Sequence, residues 1–276
     1  MYEEPGDVGI QDPSVTQLAD GTLVSNFFSW QAVKQDPFNH HFSGAFVIRS
    51  SDNGKTWEQK AHKVEVDDYS YYAATSEPVL ELPDGELIMP LYDARGSFVT
   101  RSKDKGKTWK NVAIIGRDPF GNVRLGEPAL GLLSSGKILC MMRATEQGYL
   151  YQSESNDGGK TWSCPFRTDI WGFPANLLVL KDGRVHCSYG YRKPPYGVRA
   201  VISEDEGRTW DIRNEIVIRN DGLHGDLGYP SSVQLDDGSV LTVYYFHTGK
   251  HGKHNQEGHY SQPEGTRFIA QSLYRG

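Results

Sequence analysis

Short apolar stretches of strand length, most of them alternating with polar residues, run along the whole chain and are separated by turns rich in Gly and Asp. Such stretches predict half-buried β-strands, and no segment carries the 3.6-residue apolar period between caps that marks a helix. The turns recur in two forms. In the first, a Pro opens an apolar alternation that ends in a Gly turn and a second apolar strand: Pro13 to Gly21, Pro78 to Gly85, Pro128 to Gly136, Pro174 to Gly183 and Pro230 to Gly238. In the second, the octet Ser-x-Asp-x-Gly-x-Thr-Trp begins at Ser50, Ser102, Ser155 and Ser203, a period of 48 to 53 residues. The octet Asp can bond its own downstream backbone, its Gly supplies the positive φ of a tight turn, and its Trp anchors the returning strand. One period then reads strand, Gly turn, strand, longer loop, strand, octet turn, strand. That is a four-stranded antiparallel blade, and the predicted fold class is all-β, a β-propeller forming one domain over residues 1–276.

Composition narrows the function. With 29 Lys and Arg against 35 Asp and Glu the chain carries a net charge of -6, so no general positive field exists to hold nucleic acid. An anionic ligand requires a local arginine cluster. No apolar run reaches the roughly 18 to 20 residues of a membrane helix, which excludes a helical membrane protein. The first ten residues, MYEEPGDVGI, carry no secretory signal pattern. Cys140, Cys164 and Cys187 follow no disulfide or zinc spacing and read as buried free thiols. The histidines of 247–259 invite a metal reading, but their Gly- and Lys-rich context reads as a long hairpin loop, and neither metal nor cofactor is expected.

Asp-box octets on blades of this kind resemble the sialidase (neuraminidase) superfamily, whose BNR-repeat propellers have six blades and cleave terminal sialic acids. The resemblance covers nearly the whole chain. Three segments carry it into the site. Gly126-Glu127-Pro128 through Arg143 is similar to the family segment in which a Glu opens an inner strand and an Arg closes the next; the two stand sixteen residues apart, as the two ends of one hairpin. Gly228-Tyr229-Pro230 resembles the segment that begins with the nucleophilic tyrosine, and Pro90-Leu91-Tyr92 one whose tyrosine lines the sugar pocket.

The chemistry explains the residue types. Sialic acid carries a carboxylate on its anomeric carbon, which repels an Asp or Glu nucleophile and tolerates a neutral phenol. A phenol with a pKa near 10 needs a base to attack at neutral pH. The resemblance implies Tyr229 as nucleophile, Glu127 as its base, and arginines on the substrate carboxylate. Arg143 matches one of these. For a second, Arg199 is preferred, because it sits on a strand four residues before Ser203 and so has a defined direction, with Arg192 as the alternative. Tyr92, Glu77 and Asp12 complete the candidate substrate-binding residues. Glu77-Pro78 and Glu127-Pro128 share a context, so either Glu could equally satisfy backbone groups at a strand start.

The chain also departs from the family pattern. The Arg-Ile-Pro of the family's first blade, followed by a loop Asp that acts as general acid/base, does not occur in it. Counting back from Tyr229 in the last blade makes Pro13 the start of a second blade, so the first blade is expected to be lacking. Alternatively the chain is a five-bladed relative in which Gln11 and Asp12 take new roles. Two functions follow: an exo-acting glycoside hydrolase on terminal sialic acid or a related acidic sugar, or a carbohydrate-binding propeller that has lost catalysis. The partner is a glycan in either case, and oligomeric state is not legible.

Overall fold

The computed structural model describes residues 8–33, 36–66, 73–118, 121–247, 249 and 266–275. These residues are all-β, apart from one 3-10 turn at Ile212–Asn214. Five antiparallel sheets form in sequence order. The first comprises β1 (Val8–Gln17), β2 (Leu23–Val33), β3 (Asp36–Ser50) and β4 (His62–Lys63). The second comprises β5 (Leu80–Glu81), β6 (Leu87–Asp93), β7 (Gly96–Ser102) and β8 (Lys110–Gly116). The third comprises β9 (Leu125–Leu132), β10 (Ile138–Ala144), β11 (Tyr149–Ser155) and β12 (Phe166–Trp171). The fourth runs β13 (Ala175–Val179), β14 (Val185–Tyr191), β15 (Tyr196–Ser203) and β16 (Ile216–Gly222), and the fifth β17 (Gly228–Gln234), β18 (Ser239–His247) and β19 (Arg267–Arg275).

Each sheet is an up-and-down meander, the blade of a β-propeller, as the repeats predict. The described residues give five sheets, as many as the repeats counted in the sequence and one fewer than the six-bladed type that the resemblance implies. One expectation needs correction: the fifth sheet has three strands rather than four. The residues fall into two compact units, one spanning 1–142 and 152–166, the other 143–151 and 167–276.

Turn chemistry accounts for the meander. The five hairpin glycines, Gly21, Gly85, Gly136, Gly183 and Gly238, all have φ between +82° and +90°, a region where only glycine is unstrained. Each Asp box folds as a closed hydrogen-bonded loop. In the first, Ser50 Oγ donates to Asp52 Oδ1 at 2.8 Å and accepts from Gly54 N at 2.9 Å, while Thr56 gives its N–H and hydroxyl to the Asp52 carboxylate at 2.9 and 2.6 Å. The same bonds recur around Asp104, Asp157 and Asp205. The Thr56 hydroxyl, then its N–H, bring Asp52 down to about 2. The residue ahead of each box glycine is also left-handed (Asn53, Lys105, Gly158 and Glu206), which makes the turn a two-residue one.

Packing follows the strand alternation. In the first unit Val24, Val47, Leu87, Met89, Leu91 and Phe98 bury one core; in the second Val198, Leu227, Tyr244 and Phe246 bury another, with Tyr196 and Phe268 against it. Of the three free thiols Cys140 and Cys187 are buried, but Cys164 is exposed, contrary to expectation. No helix among the described residues is long and apolar enough to cross a membrane.

Candidate active site

Three of the residues singled out in the sequence share one unusual backbone. Asp12, Glu127 and Tyr229 each precede a proline, and each has φ of +48° or +49°. A residue before proline ordinarily stays extended, and a left-handed conformation strains any residue with a Cβ by about 1–2 kcal/mol. At Asp12 and Tyr229 the conformation coincides with a slip in strand register, between Gln11 and Ser14 and between Gly228 and Ser231. A bulge of this kind re-aims a side chain that regular alternation would send elsewhere. Strain of this type concentrates at functional sites.

In the first unit the bulged Asp12 accepts the Ser76 hydroxyl at 2.8 Å, and Ser76 Oγ lies 3.2 Å from the Tyr92 hydroxyl. Tyr92, next to last in β6, packs so closely on Gly126 that a Cβ there would stand 3.3 Å from its ring. Gly126 therefore clears the way for Tyr92, and Glu127 follows it, 6% exposed. Asp12, Ser76 and Tyr92 thus form one polar group, with Gly126 of the third sheet against the Tyr92 ring. Glu77 is buried too, but it lies ahead of β5 and has no left-handed backbone, so the context it shares with Glu127 in sequence is not shared in conformation.

The second unit gathers the cations. Arg143, near the end of β10, stacks its guanidinium 4.4 Å from the centre of Phe173. Arg192, immediately after β14, stands 5.3 Å from the same ring and 5.7 Å from the Tyr229 ring. Its Nε donates to the Leu227 carbonyl at 3.0 Å, which fixes the head group beside β17. Its Nη2 is buried and has no hydrogen-bond partner among the described residues. Buried donors of a charged group are ordinarily satisfied, so this one marks a place for an acceptor.

Arg199, the preferred candidate in the sequence, is engaged elsewhere. It pairs with Glu215, which also accepts the Tyr189 hydroxyl, and its guanidinium lies 3.3 Å from the centre of the Tyr191 ring. Strand membership did fix its direction, but toward Glu215. Arg192, from the loop, is the arginine beside Tyr229.

Sequence reasoning missed three further residues. Tyr245, on β18 opposite Gly228, packs its ring 5.9 Å from that of Tyr229. Its hydroxyl donates to Asp226 Oδ1 at 2.6 Å, and Arg267 pairs with the other carboxylate oxygen. Burial opposes charge on Asp226, but the Tyr245 hydroxyl, Arg267 and Arg192 together outweigh it and hold the carboxyl below its usual range. These residues come from three separate segments, so no motif spacing announces them. His251, His254 and His259 lie outside the described residues. Among the described ones no three His, Cys, Asp or Glu side chains come together as a metal site.

The comparisons agree with this arrangement of sheets. The model of the BNR repeat-like domain matches residues 7–243. A sialidase of Bacteroides fragilis is 22% identical over 270 residues, taking in 87% of this chain and 48% of that protein. A sialidase of Paraclostridium sordellii is 24% identical over 234 residues, 72% of this chain and 56% of that protein. The chain thus spans about half the length of these curated relatives. A crystal structure of a protein of unknown function from Dyadobacter fermentans superposes with a TM-score of 0.82 at 29% identity, over 97% of this chain and 76% of that one.

Proposed function

This chain belongs to the family of BNR repeat-like domains, and from that membership and the group around Tyr229 we propose that it is a glycoside hydrolase removing a terminal acidic sugar, of the sialic acid type, from glycans. The observation that carries the reading is the buried Nη2 of Arg192, without a hydrogen-bond partner among the described residues, beside a left-handed Tyr229, with Arg143 on the same phenylalanine. Two guanidinium groups there suit a carboxylate, whose oxygens take parallel charge-assisted bonds. A ligand of that kind also demands a neutral nucleophile, which a phenol is.

In this reading the Tyr229 oxygen bonds to the anomeric carbon as its proton leaves to a base, the role that the sialidase resemblance gives to Glu127, and the bond from that carbon to the leaving group breaks as the leaving oxygen takes up a proton from water. Water then cleaves the sugar from the tyrosine. The carbohydrate-binding alternative keeps one specific support: the family's Arg-Ile-Pro is not found in these 276 residues.

Release of a fluorophore from an aryl sialoside separates the two readings, because an aryl leaving group departs with little help from an acid. Release that disappears in Tyr229→Phe is expected of the hydrolase. Glycan binding without release is the result that the binding-only propeller gives.

A further inference from the structure

Phe173 has no hydrogen-bonding group in its side chain, yet both arginines of the proposed site rest on it. The guanidinium carbons of Arg143 and Arg192 lie 4.4 and 5.3 Å from the centre of its ring, inside the reach of about 6 Å at which an aromatic face attracts a cation. Two like charges so placed stand within about 10 Å of each other and repel. Something has to keep them together until an anion arrives. An acid can do this only by spending the charge: Glu215 holds Arg199 in that way, its carboxylate accepting from Nη1 and cancelling the cation. An aromatic face draws the charge of a guanidinium without neutralising it.

The ring is itself held in place. Phe173 is buried, its N–H donates to the Gly190 carbonyl at 2.8 Å, and the Trp171 ring packs 6.2 Å away, tilted by 50°. A Cβ at Gly190 would stand 2.7 Å from the Phe173 carbonyl oxygen, so glycine at that place in β14 lets the Phe173 backbone lie against the strand. Arg192 has a further anchor in the bond from its Nε to the Leu227 carbonyl. We propose that Phe173 is a positioning residue, whose ring holds Arg143 and Arg192 side by side with their charge intact, ready for one carboxylate. In this role, which rests on the reading of the two arginines as carboxylate binders, the ring does what an acidic neighbour could not.

Fluorination of the ring tests the role, because each fluorine drains electron density from the face and weakens its pull on a cation while the shape hardly changes. The full chain is made with phenylalanine, then mono-, di- and trifluorophenylalanine, at position 173. Affinity for free sialic acid, measured by calorimetry, is expected to fall step by step, to about tenfold below the unmodified protein with the trifluoro ring. KM for an aryl sialoside rises in parallel while kcat changes little, as for a contact made equally in the ground and transition states. The melting temperature stays level. Affinity and KM that also stay level across the series show that the ring only fills space, and overturn the proposal.

A second readout needs neither ligand nor turnover. Nitrogen relaxation of the Arg143 and Arg192 Nε–H groups in the ligand-free protein reports how firmly each guanidinium is held. The order of Arg143 is expected to fall along the fluorine series, and by more than that of Arg192, which the Leu227 carbonyl also holds. Unchanged order at both arginines overturns the proposal. Graded loss of order, with no sialic acid bound by any of the proteins including the unmodified one, overturns the carboxylate reading of the site and leaves the positioning role of Phe173 standing.

Discussion

The guanidinium carbon of Arg192 stands 5.7 Å from the centre of the Tyr229 ring, and Arg192 shares the Phe173 ring with Arg143. Arg199, seven residues further along the chain, is instead closed onto Glu215. The two arginines are therefore expected to fail in different ways. Arg192→Ala removes the proposed carboxylate contacts and lowers kcat/KM by about 10- to 100-fold with the melting temperature little changed. Arg199→Ala strips Glu215 of its cation and lowers stability by about 1–3 kcal/mol, with a smaller effect on turnover. Thermal melts and steady-state kinetics on the two variants check the split.

His186 makes stability depend on pH. Its ring is fully buried, with Nε2 2.9 Å from the Tyr274 hydroxyl, and burial holds it down at about 4 against an ordinary 6.5. The folded value lies below the unfolded one, so between the two the unfolded chain binds more protons. Stability is then complete above pH 6.5 and declines as pH falls toward 4, by about 3 kcal/mol in all. Chemical denaturation across that range shows the decline, and His186→Gln removes this part of the slope.

The Asp boxes are staples of the fold. Asp157 takes the Ser155 hydroxyl together with the N–H groups of Lys160 and Thr161 and the Thr161 hydroxyl. Asp157→Ala leaves those donors to water. The expected result is a melting temperature lower by about 5 °C with an unchanged KM. A changed KM at an unchanged melting temperature contradicts the structural role.

One face of the fifth sheet is open and apolar. Val233, Leu241 and Leu273 lie opposite one another across β17, β18 and β19, and Val243 and Ile269 continue the same face; Leu273 and Ile269 are 62% and 75% exposed. The other face, with Val240, Tyr244 and Phe246, is buried. Exposed apolar surface of that kind favours association, so Ile269→Lys with Leu273→Lys is expected to improve solubility with the melting temperature little changed. A melting temperature that falls sharply in the pair contradicts the exposed placement of these two side chains.

The periodic parts of this molecule were legible because they depend on local chemistry. A left-handed glycine closes each of the five hairpins and an Asp closes each box, and both can be read one turn at a time. The site is not periodic. Nothing in the sequence tells that Asp12, Glu127 and Tyr229 turn left-handed, since the proline that follows each of them argues for an extended backbone. Arg192 was ranked below Arg199 because a strand promises direction and a loop does not, yet the bond from Arg192 Nε to the Leu227 carbonyl orients it as firmly. Asp226, Tyr245 and Arg267 meet only through the pairing of β17, β18 and β19, and 19 and 22 residues of sequence separate them. The three-stranded fifth sheet was missed for a related reason, because no octet follows Ser203 to mark where its strands end.

The central claim is that Tyr229 forms a bond to the sugar. A fluorinated sialic acid bearing a good leaving group stalls a hydrolase of this type at the sugar-bound stage, and the mass of the intact protein followed by peptide mapping reads where the sugar sits. The account predicts one added sugar on the peptide containing Tyr229, lost in Tyr229→Phe and much slower to form in Arg192→Ala. Label on any other residue, or turnover of an aryl sialoside that persists in Tyr229→Phe, contradicts it.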